Sequence, residues 1–199
     1  MSKRAQQLAD TRQKIIKAAI EVFSDLGFEG ASTRDIAALA GTNQGLITYH
    51  FKSKDELWRA AAHELFSRYR ERLLVKMSEA KSDGPRQLAR EYVREYVYFA
   101  GAHPEFFLMM IEEGKRSSDR MRWLVKTHLK PMYDYYRDLL SESLELDEES
   151  AARFIYMLIG AGGLIFAHAP AVRRLTGLNA TTRKSIQAHA DHMAELFVP

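Results

Sequence analysis

The chain has no cysteine among its 199 residues, which excludes disulfides, thiolate metal sites and a cysteine nucleophile. This fits a reducing cytoplasm. Long apolar runs are scarce: the longest, FIYMLIGAGGLIFA at 154–167, has 14 residues and three glycines. A membrane-spanning helix needs roughly 20 residues, so this run is expected to be a buried helix. The opening MSKRAQQLADTRQK has basic residues but no apolar run behind them, and no signal peptide is expected. Strand-type alternation is nearly missing. Also missing are a His-Glu-x-x-His zinc pattern, a Gly-rich phosphate loop and a nucleophile elbow. The chain therefore carries no catalytic constellation and no cofactor motif, and it is not expected to be an enzyme. His189 and His192 lie three apart with Asp191, a spacing that could hold a metal, but they read as the exposed face of a last helix. His63-Glu64 is isolated, and no metal site is expected.

What is present is ordinary globular chemistry, with 46% hydrophobic and 28% charged residues. The formal charge of +3 is unevenly spread. Residues 1–17 hold Lys3, Arg4, Arg12, Lys14 and Lys17 against Asp10 alone, a local +4. A polyanion partner and a solvated basic tail both fit that asymmetry.

Apolar residues recur with helical period along nearly the whole chain. In residues 11–26, Ile15, Ala19, Val22, Phe23 and Leu26 share one face, and Gly27 is a natural stop. Ser32 and Asp35 stand at capping-box spacing before a short helix that Gly41 ends. Ser53 and Glu56 repeat the pattern before a long helix carrying Leu57, Ala61, Leu65, Tyr69, Leu73 and Met77. KSDGP at 81–85 is linker chemistry. Pro85 and Pro104 each open a helix, and Pro131 should kink or split the helical pattern of 118–144. The segment APAVRRLTGLNATT is expected to be a loop between the last two long helices. The fold class is all-α, about nine helices by this periodicity, with three short ones preceding a larger bundle.

Residues 32–51 have helix-turn-helix mechanics. Two helices crossing at roughly 90–120° approach closely, so Ala37 offers a small side chain at the crossing. Gly41 can take a positive φ without steric cost, and Ile47 with Phe51 anchors the second helix inward. Gln44, Gly45, Thr48 and Tyr49 are then left on the outer face. The stretch from Leu39 to Lys54 contains no acid to repel DNA. The second helix of such a motif reads base edges in the major groove. Asn43, Gln44 and Thr48 are the candidates for readout, and Thr33, Arg34, Tyr49, His50 and Lys54 for gripping phosphates. A purely structural bundle or adaptor would leave this face unexplained.

STRDIAALAGTNQGLITYHFKSKDEL resembles the DNA-binding region of TetR-family transcriptional regulators. It shares their T-x-x-x-I-A-x-x-A-G helix, a short recognition helix ending in Tyr-His-Phe, and Lys-x-x-Leu opening the fourth helix. The resemblance is strong over residues 11–65 and covers the rest only as architecture. Position 48 is Thr, where members often carry an aromatic residue. The resemblance implies a helix-turn-helix domain at 1–52 and an effector-binding and dimerisation domain at 53–199.

The second region is rich in aromatics with polar tips, more than a dry core needs. Simple core packing and a ligand cavity both account for them. The resemblance implies an effector pocket, for which Tyr92, Tyr96, Phe99, Phe107, Met110, Trp123, His128 and Met132 are the candidates. Phe154, Ile155, Leu158, Gly162 and Ile165 form a broad apolar surface, and Ile186, Met193 and Phe197 a matching one. A single chain could bury both; the resemblance implies a four-helix homodimer interface. The function expected is that of a cytoplasmic, ligand-responsive DNA-binding regulator, a repressor released from a pseudo-palindromic operator by a small-molecule effector.

Overall fold

The structure, a computed structural model, describes residues 2–80 and 84–199. Among them regular structure is helical throughout, with no strand. In chain order the helices are α1 (Lys3–Gly30), α2 (Thr33–Leu39), α3 (Gln44–His50), α4 (Lys54–Ala80), α5 (Pro85–Ala102) and α6 (Pro104–Gly114). There follow α7 (Asp119–Leu124), a π-helical turn (Val125–Leu129), α8 (Lys130–Leu144), α9 (Glu148–Ala167), α10 (Ala169–Thr176) and α11 (Arg183–Phe197).

Local chemistry sets most of these boundaries. Gly27 takes φ 67° and breaks α1, which resumes for one further turn. Ser32 Oγ accepts from Asp35 N at 3.1 Å to start α2. A reciprocal box starts α4: Glu56 N donates to Ser53 Oγ at 3.0 Å, and Lys52 N donates to Glu56 Oε2 at 3.1 Å. Of the KSDGP linker, residues 81–83 lie outside the described residues; Pro85 opens α5 as expected.

Pro131 splits the pattern of 118–144. Lacking an N–H, it cannot bond back to Thr127, and the backbone before it widens into the π turn before α8 begins. One expectation fails: residues 169–176 are not loop but α10. Pro170 sits in its first turn, Gly177 (φ 76°) ends it, and none of its residues is buried. Pro170 near its start and Gly177 just past its end are the sequence signals that mark it.

The chain packs into two compact units. One comprises the residues up to Ser67 together with Leu108–His128; the other comprises Arg68–Phe107 and Leu129–Pro199. The first half of α4 and the α6–α7 segment thus belong with the helix-turn-helix. Trp58 meets Trp123 edge-on at 6.2 Å between ring centroids, and Arg59 lies 5.2 Å from the Trp123 ring. A buried node holds the same segment. The Arg120 guanidinium stacks 3.5 Å over Phe28 and donates to Glu113 Oε2 at 3.1 Å, while Ser118 Oγ donates to the other Glu113 oxygen. The core of this first unit gathers Ile15, Ile16, Ala19, Phe23, Ile36, Ala37, Ile47, Phe51, Leu57 and Leu65.

In the second unit α5 packs against α8, α9 and α11. The expected buried apolar helix is α9, 20 residues long. Its length and composition would suffice to cross a membrane, with a mean hydropathy of 1.6. It is a partly buried core helix: Ala151, Phe154, Ile155, Leu158, Gly162, Gly163 and Phe166 are buried within the chain. Two of its glycines mark close approaches. A Cβ at Gly162 would fall 2.9 Å from Tyr96 Cε1, and one at Gly163 only 2.4 Å from Phe107 Cδ2.

Candidate nucleic-acid interface

The turn between α2 and α3 is built by Gly41, whose φ of 62° is open to glycine. Thr42 N donates to Ala37 O at 3.0 Å and closes it. Asn43 caps α3, its Oδ1 accepting from Leu46 N at 3.0 Å. That capping oxygen lies 3.1 Å from where a Gly45 Cβ would stand, so residue 45 is small because the cap crowds it. Ile47 and Phe51 are buried and clamp the helix inward.

This leaves Gln44, Gly45, Thr48 and Tyr49 exposed on the opposite face, Tyr49 to 69%. Gln44 Nε2 donates to Thr33 Oγ1 at 3.2 Å, so the first turn of α2 orients the amide from which base readout is expected. Thr48 Oγ1 donates to Gln44 O at 3.1 Å, which leaves its methyl and a hydroxyl lone pair facing outward. Asn43 presents its amide N–H groups, since its oxygen is engaged in the cap; Asn as an N-cap was legible in the sequence. Arg34 is exposed, whereas Thr33 and Lys54 are half-buried. Lys54 Nζ sits 4.5 Å over the Phe28 ring, on the same aromatic as Arg120.

His50 is half-buried, and its Nε2 is buried without a hydrogen-bond partner. Burial, reinforced by the nearby Arg12 charge, lowers its pKa below 6.5. A neutral imidazole can accept as well as donate, and His50 is half-buried like Thr33 and Lys54. One residue not picked out for this face is Arg12, whose guanidinium lies 5.1 Å from the Phe51 ring beside the end of α3.

The ligand candidates fall in both units. Met110, Trp123 and His128 are in the first, where His128 is buried with its ring 5.5 Å from Trp123 and 5.2 Å from His63. Tyr92, Tyr96, Phe99, Phe107 and Met132 are in the second. There Tyr92 stacks on Tyr136 at 3.8 Å, and Tyr69 packs between Phe99 and Phe106 at 4.9 Å from each. Burial raises the pKa of Tyr92, Tyr96 and Tyr136 well above 10, so each stays a neutral phenol. Tyr96 OH donates to Ile159 O at 2.9 Å, whereas the buried Tyr69 hydroxyl has no partner among the described residues.

The residues expected to form a dimer interface pack largely inside the chain. Phe154, Ile155, Leu158, Gly162 and Met193 are buried, and Ile165, Ile186 and Phe197 half-buried. Phe154 meets Phe197 edge-on at 5.1 Å, and Ile186 fills the space over Gly101. The exposed apolar face of α9 is instead Tyr156, Met157, Ala161 and Leu164, with Leu196 exposed on α11. His189 Nε2 lies 3.1 Å from Ala161 O and so faces α9, while Asp191 bonds Arg94 and Gln187. Among the described residues no group of three or more His, Asp or Glu side chains is placed to hold a metal ion.

An acid-free outer face on the second helix of a helix-turn-helix is suited to the major groove of DNA. Residues 15–61 match the model of the bacterial regulatory proteins of the tetR family. The chain is similar to the HTH-type transcriptional repressor NicS of Pseudomonas putida, 34% identical over 111 residues, 56% of this chain and 51% of that protein. It is also similar to the HTH-type transcriptional regulator RutR of Escherichia coli, 24% identical over 188 residues, 92% of this chain and 86% of that one. With the first of these relatives the match thus spans about half the relative's length. In fold the chain is similar to AibR, solved with isovaleryl coenzyme A and operator DNA, at TM-score 0.74 and 16% identity, covering 95% of this chain and 98% of that one. Residues 15–61 thus carry the DNA-binding region described for the tetR family of bacterial regulatory proteins.

Proposed function

We propose that the protein represses transcription as a homodimer on a pseudo-palindromic operator and is released when a small-molecule effector binds. The observation that carries this reading is the exposed, uncharged face of α3. Gln44 is held by Thr33, and Thr48 lies one turn later. Gln44, Asn43 and Thr48 would contact base edges; Thr33, Arg34, Tyr49, His50 and Lys54 would contact phosphates.

Two-fold symmetry is what lets paired recognition helices about 34–36 Å apart meet successive major-groove faces. For the dimer contact we favour the exposed face of α9, Tyr156, Met157, Ala161 and Leu164, joined by Leu196 of α11. Adjacent exposed apolar side chains of this size are unusual on a monomer. The residues beneath, including Phe154, Leu158 and Met193, would support that face from within.

AibR, similar in fold, was solved with an acyl-coenzyme A and operator DNA together. An effector here would bind in the second unit beside Tyr92, Tyr96, Phe99 and Phe107, where the unpartnered Tyr69 hydroxyl offers a neutral donor to an acceptor atom. Met132 lies in the same unit and keeps its place in this proposal, whereas Met110, Trp123 and His128 lie in the first unit. Because α4 runs through both units as one helix, a change in packing around Tyr69 acts on the helix that begins at Lys54. Release requires that the effector bind the two conformations unequally. The cysteine-free chain fits a cytoplasmic setting.

Selection of bound fragments from random duplex DNA tests this reading. The expected product is an inverted repeat with half-sites one helical turn, or a multiple, apart. Recovery of fragments with no common sequence would overturn it.

A further inference from the structure

The hydrogen bonds on the outer face of α3 leave each side chain a restricted set of free donors and acceptors. Gln44 Nε2 carries two hydrogens, and one of them goes to Thr33 Oγ1 at 3.2 Å. That bond fixes which way the amide is turned. The other N–H and the free carbonyl oxygen are left side by side, one donor beside one acceptor. Adenine shows the complementary pair in the major groove, an N7 acceptor beside an N6 donor. Guanine shows two acceptors there, N7 and O6. Answering both would need the hydrogen that Thr33 holds.

Thr48 is restricted in its own way. Its hydroxyl hydrogen is spent on Gln44 O at 3.1 Å, so it has nothing to donate and turns its methyl outward. An outward methyl suits the C5-methyl group of thymine. Four residues span roughly 6 Å of helix. At about 3.4 Å per base-pair step, Gln44 and Thr48 reach positions within about two steps of each other. Asn43 has its oxygen engaged in the cap of α3 and can only donate, so it cannot make the two-point contact to adenine. From Asn43 through Phe51 there is no Arg or Lys, the side chains that most often read guanine, and no Asp or Glu to accept from cytosine.

We propose that α3 reads A·T base pairs. Gln44 takes an adenine through its N6 and N7, and Thr48 packs on the methyl of a nearby thymine. Thr33 is the positioning residue that holds the Gln44 amide in its adenine-reading sense. The Thr33 hydroxyl keeps its own hydrogen for a phosphate oxygen, so one side chain joins backbone contact to base readout. This rests on the reading of α3 as the recognition helix.

The test uses the full chain and a duplex recovered by selection from random DNA. The position read by Gln44 is the one at which Gln44→Ala loses discrimination, and an A·T pair is expected there. Replacing that adenine by 2-aminopurine removes the N6 donor; 7-deazaadenine removes the N7 acceptor. Each should weaken wild type by about 2- to 10-fold and leave Gln44→Ala unaffected. Deoxyuridine for the nearby thymine should weaken wild type about threefold but not Thr48→Ser, which has no methyl to lose. Thr33→Val keeps the side-chain shape without the acceptor. It should lower the preference for adenine over guanine about 2- to 10-fold, whereas Thr33→Ser should keep that preference. A loss shared equally by every duplex in Thr33→Val would overturn the positioning role. An inverted repeat with guanine at the Gln44 position would overturn the proposal and leave the recognition face standing. Recovery of no common sequence would instead strike the reading of α3.

Discussion

Alanine at Gly163 and alanine at Gly160 are the same chemical change on the same helix, with opposite expected results. A Cβ at Gly163 would stand 2.4 Å from Phe107 Cδ2 and 3.0 Å from two further ring atoms, whereas one at Gly160 meets nothing within 4 Å. Phe107 is only 5% exposed, so its ring cannot swing into solvent. Both substitutions gain the roughly 1 kcal/mol that separates glycine from alanine in a helix interior. That gain cancels between the two variants, and what remains is the overpacking at Gly163, about 1–3 kcal/mol. Gly160→Ala is therefore expected to raise stability by up to about 1 kcal/mol. Gly163→Ala should be neutral or up to about 2 kcal/mol less stable. Urea unfolding of both variants, monitored by circular dichroism at several protein concentrations, measures the difference. Equal midpoints for the two variants would refute the close approach of α9 to Phe107.

Three further outcomes are expected. Arg120→Met leaves the carboxylate of Glu113 buried without its cation and should destabilise the protein by about 3–5 kcal/mol; a thermal midpoint equal to wild type would contradict the node around Phe28. Burial lowers the pKa of His189 below 6.5, partly offset by its bond to Ala161 O and helped in smaller measure by the neighbouring His192 charge. The unfolded chain then binds a proton at His189 before the folded one does. Folding stability should therefore fall as pH drops below about 6.5, and His189→Gln should flatten that slope in urea titrations at successive pH values. On the proposed dimer, Leu164→Glu places a charge on the exposed face of α9 and should shift sedimentation from dimer to monomer without changing the far-ultraviolet spectrum; a wild type that sediments as a monomer, or a variant that stays dimeric, would contradict that interface.

The recognition region was legible because its signals are local. Ser32, Gly41, Ser53 and Glu56 are cap and turn residues whose roles depend on neighbours within four positions, and Ile47 needed only helical period to be turned inward. The break at Pro131 could be anticipated for the same reason: one missing N–H acts on a nearby carbonyl. What escaped was non-local or lacked contrast. Helix α9 is apolar nearly all round, so period alone could not tell the buried side of Phe154 and Leu158 from the exposed side of Tyr156 and Leu164. Nor does any pattern link Phe28, Glu113 and Arg120, which meet only in the folded chain and draw the α6–α7 segment into the first unit. Helix α10 is bounded by Pro170 and Gly177, end signals that the loop reading of 169–182 passed over. The glycines of α9 fall between these cases. Glycine costs roughly 1 kcal/mol in a helix interior, which makes close packing its usual compensation, but only the folded chain separates the crowded Gly162 and Gly163 from the open Gly160.

The most direct measurement compares wild type and Gln44→Ala on a selected duplex, on its single-base variants and on random DNA at fixed salt. Wild type is expected to prefer the selected duplex by on the order of a thousandfold or more. Gln44→Ala should lose about 1–3 kcal/mol of discrimination at one base position in each half-site while binding random DNA as before. A uniform loss on every duplex, or no loss at all, would contradict the outer face of α3 as the surface that reads sequence.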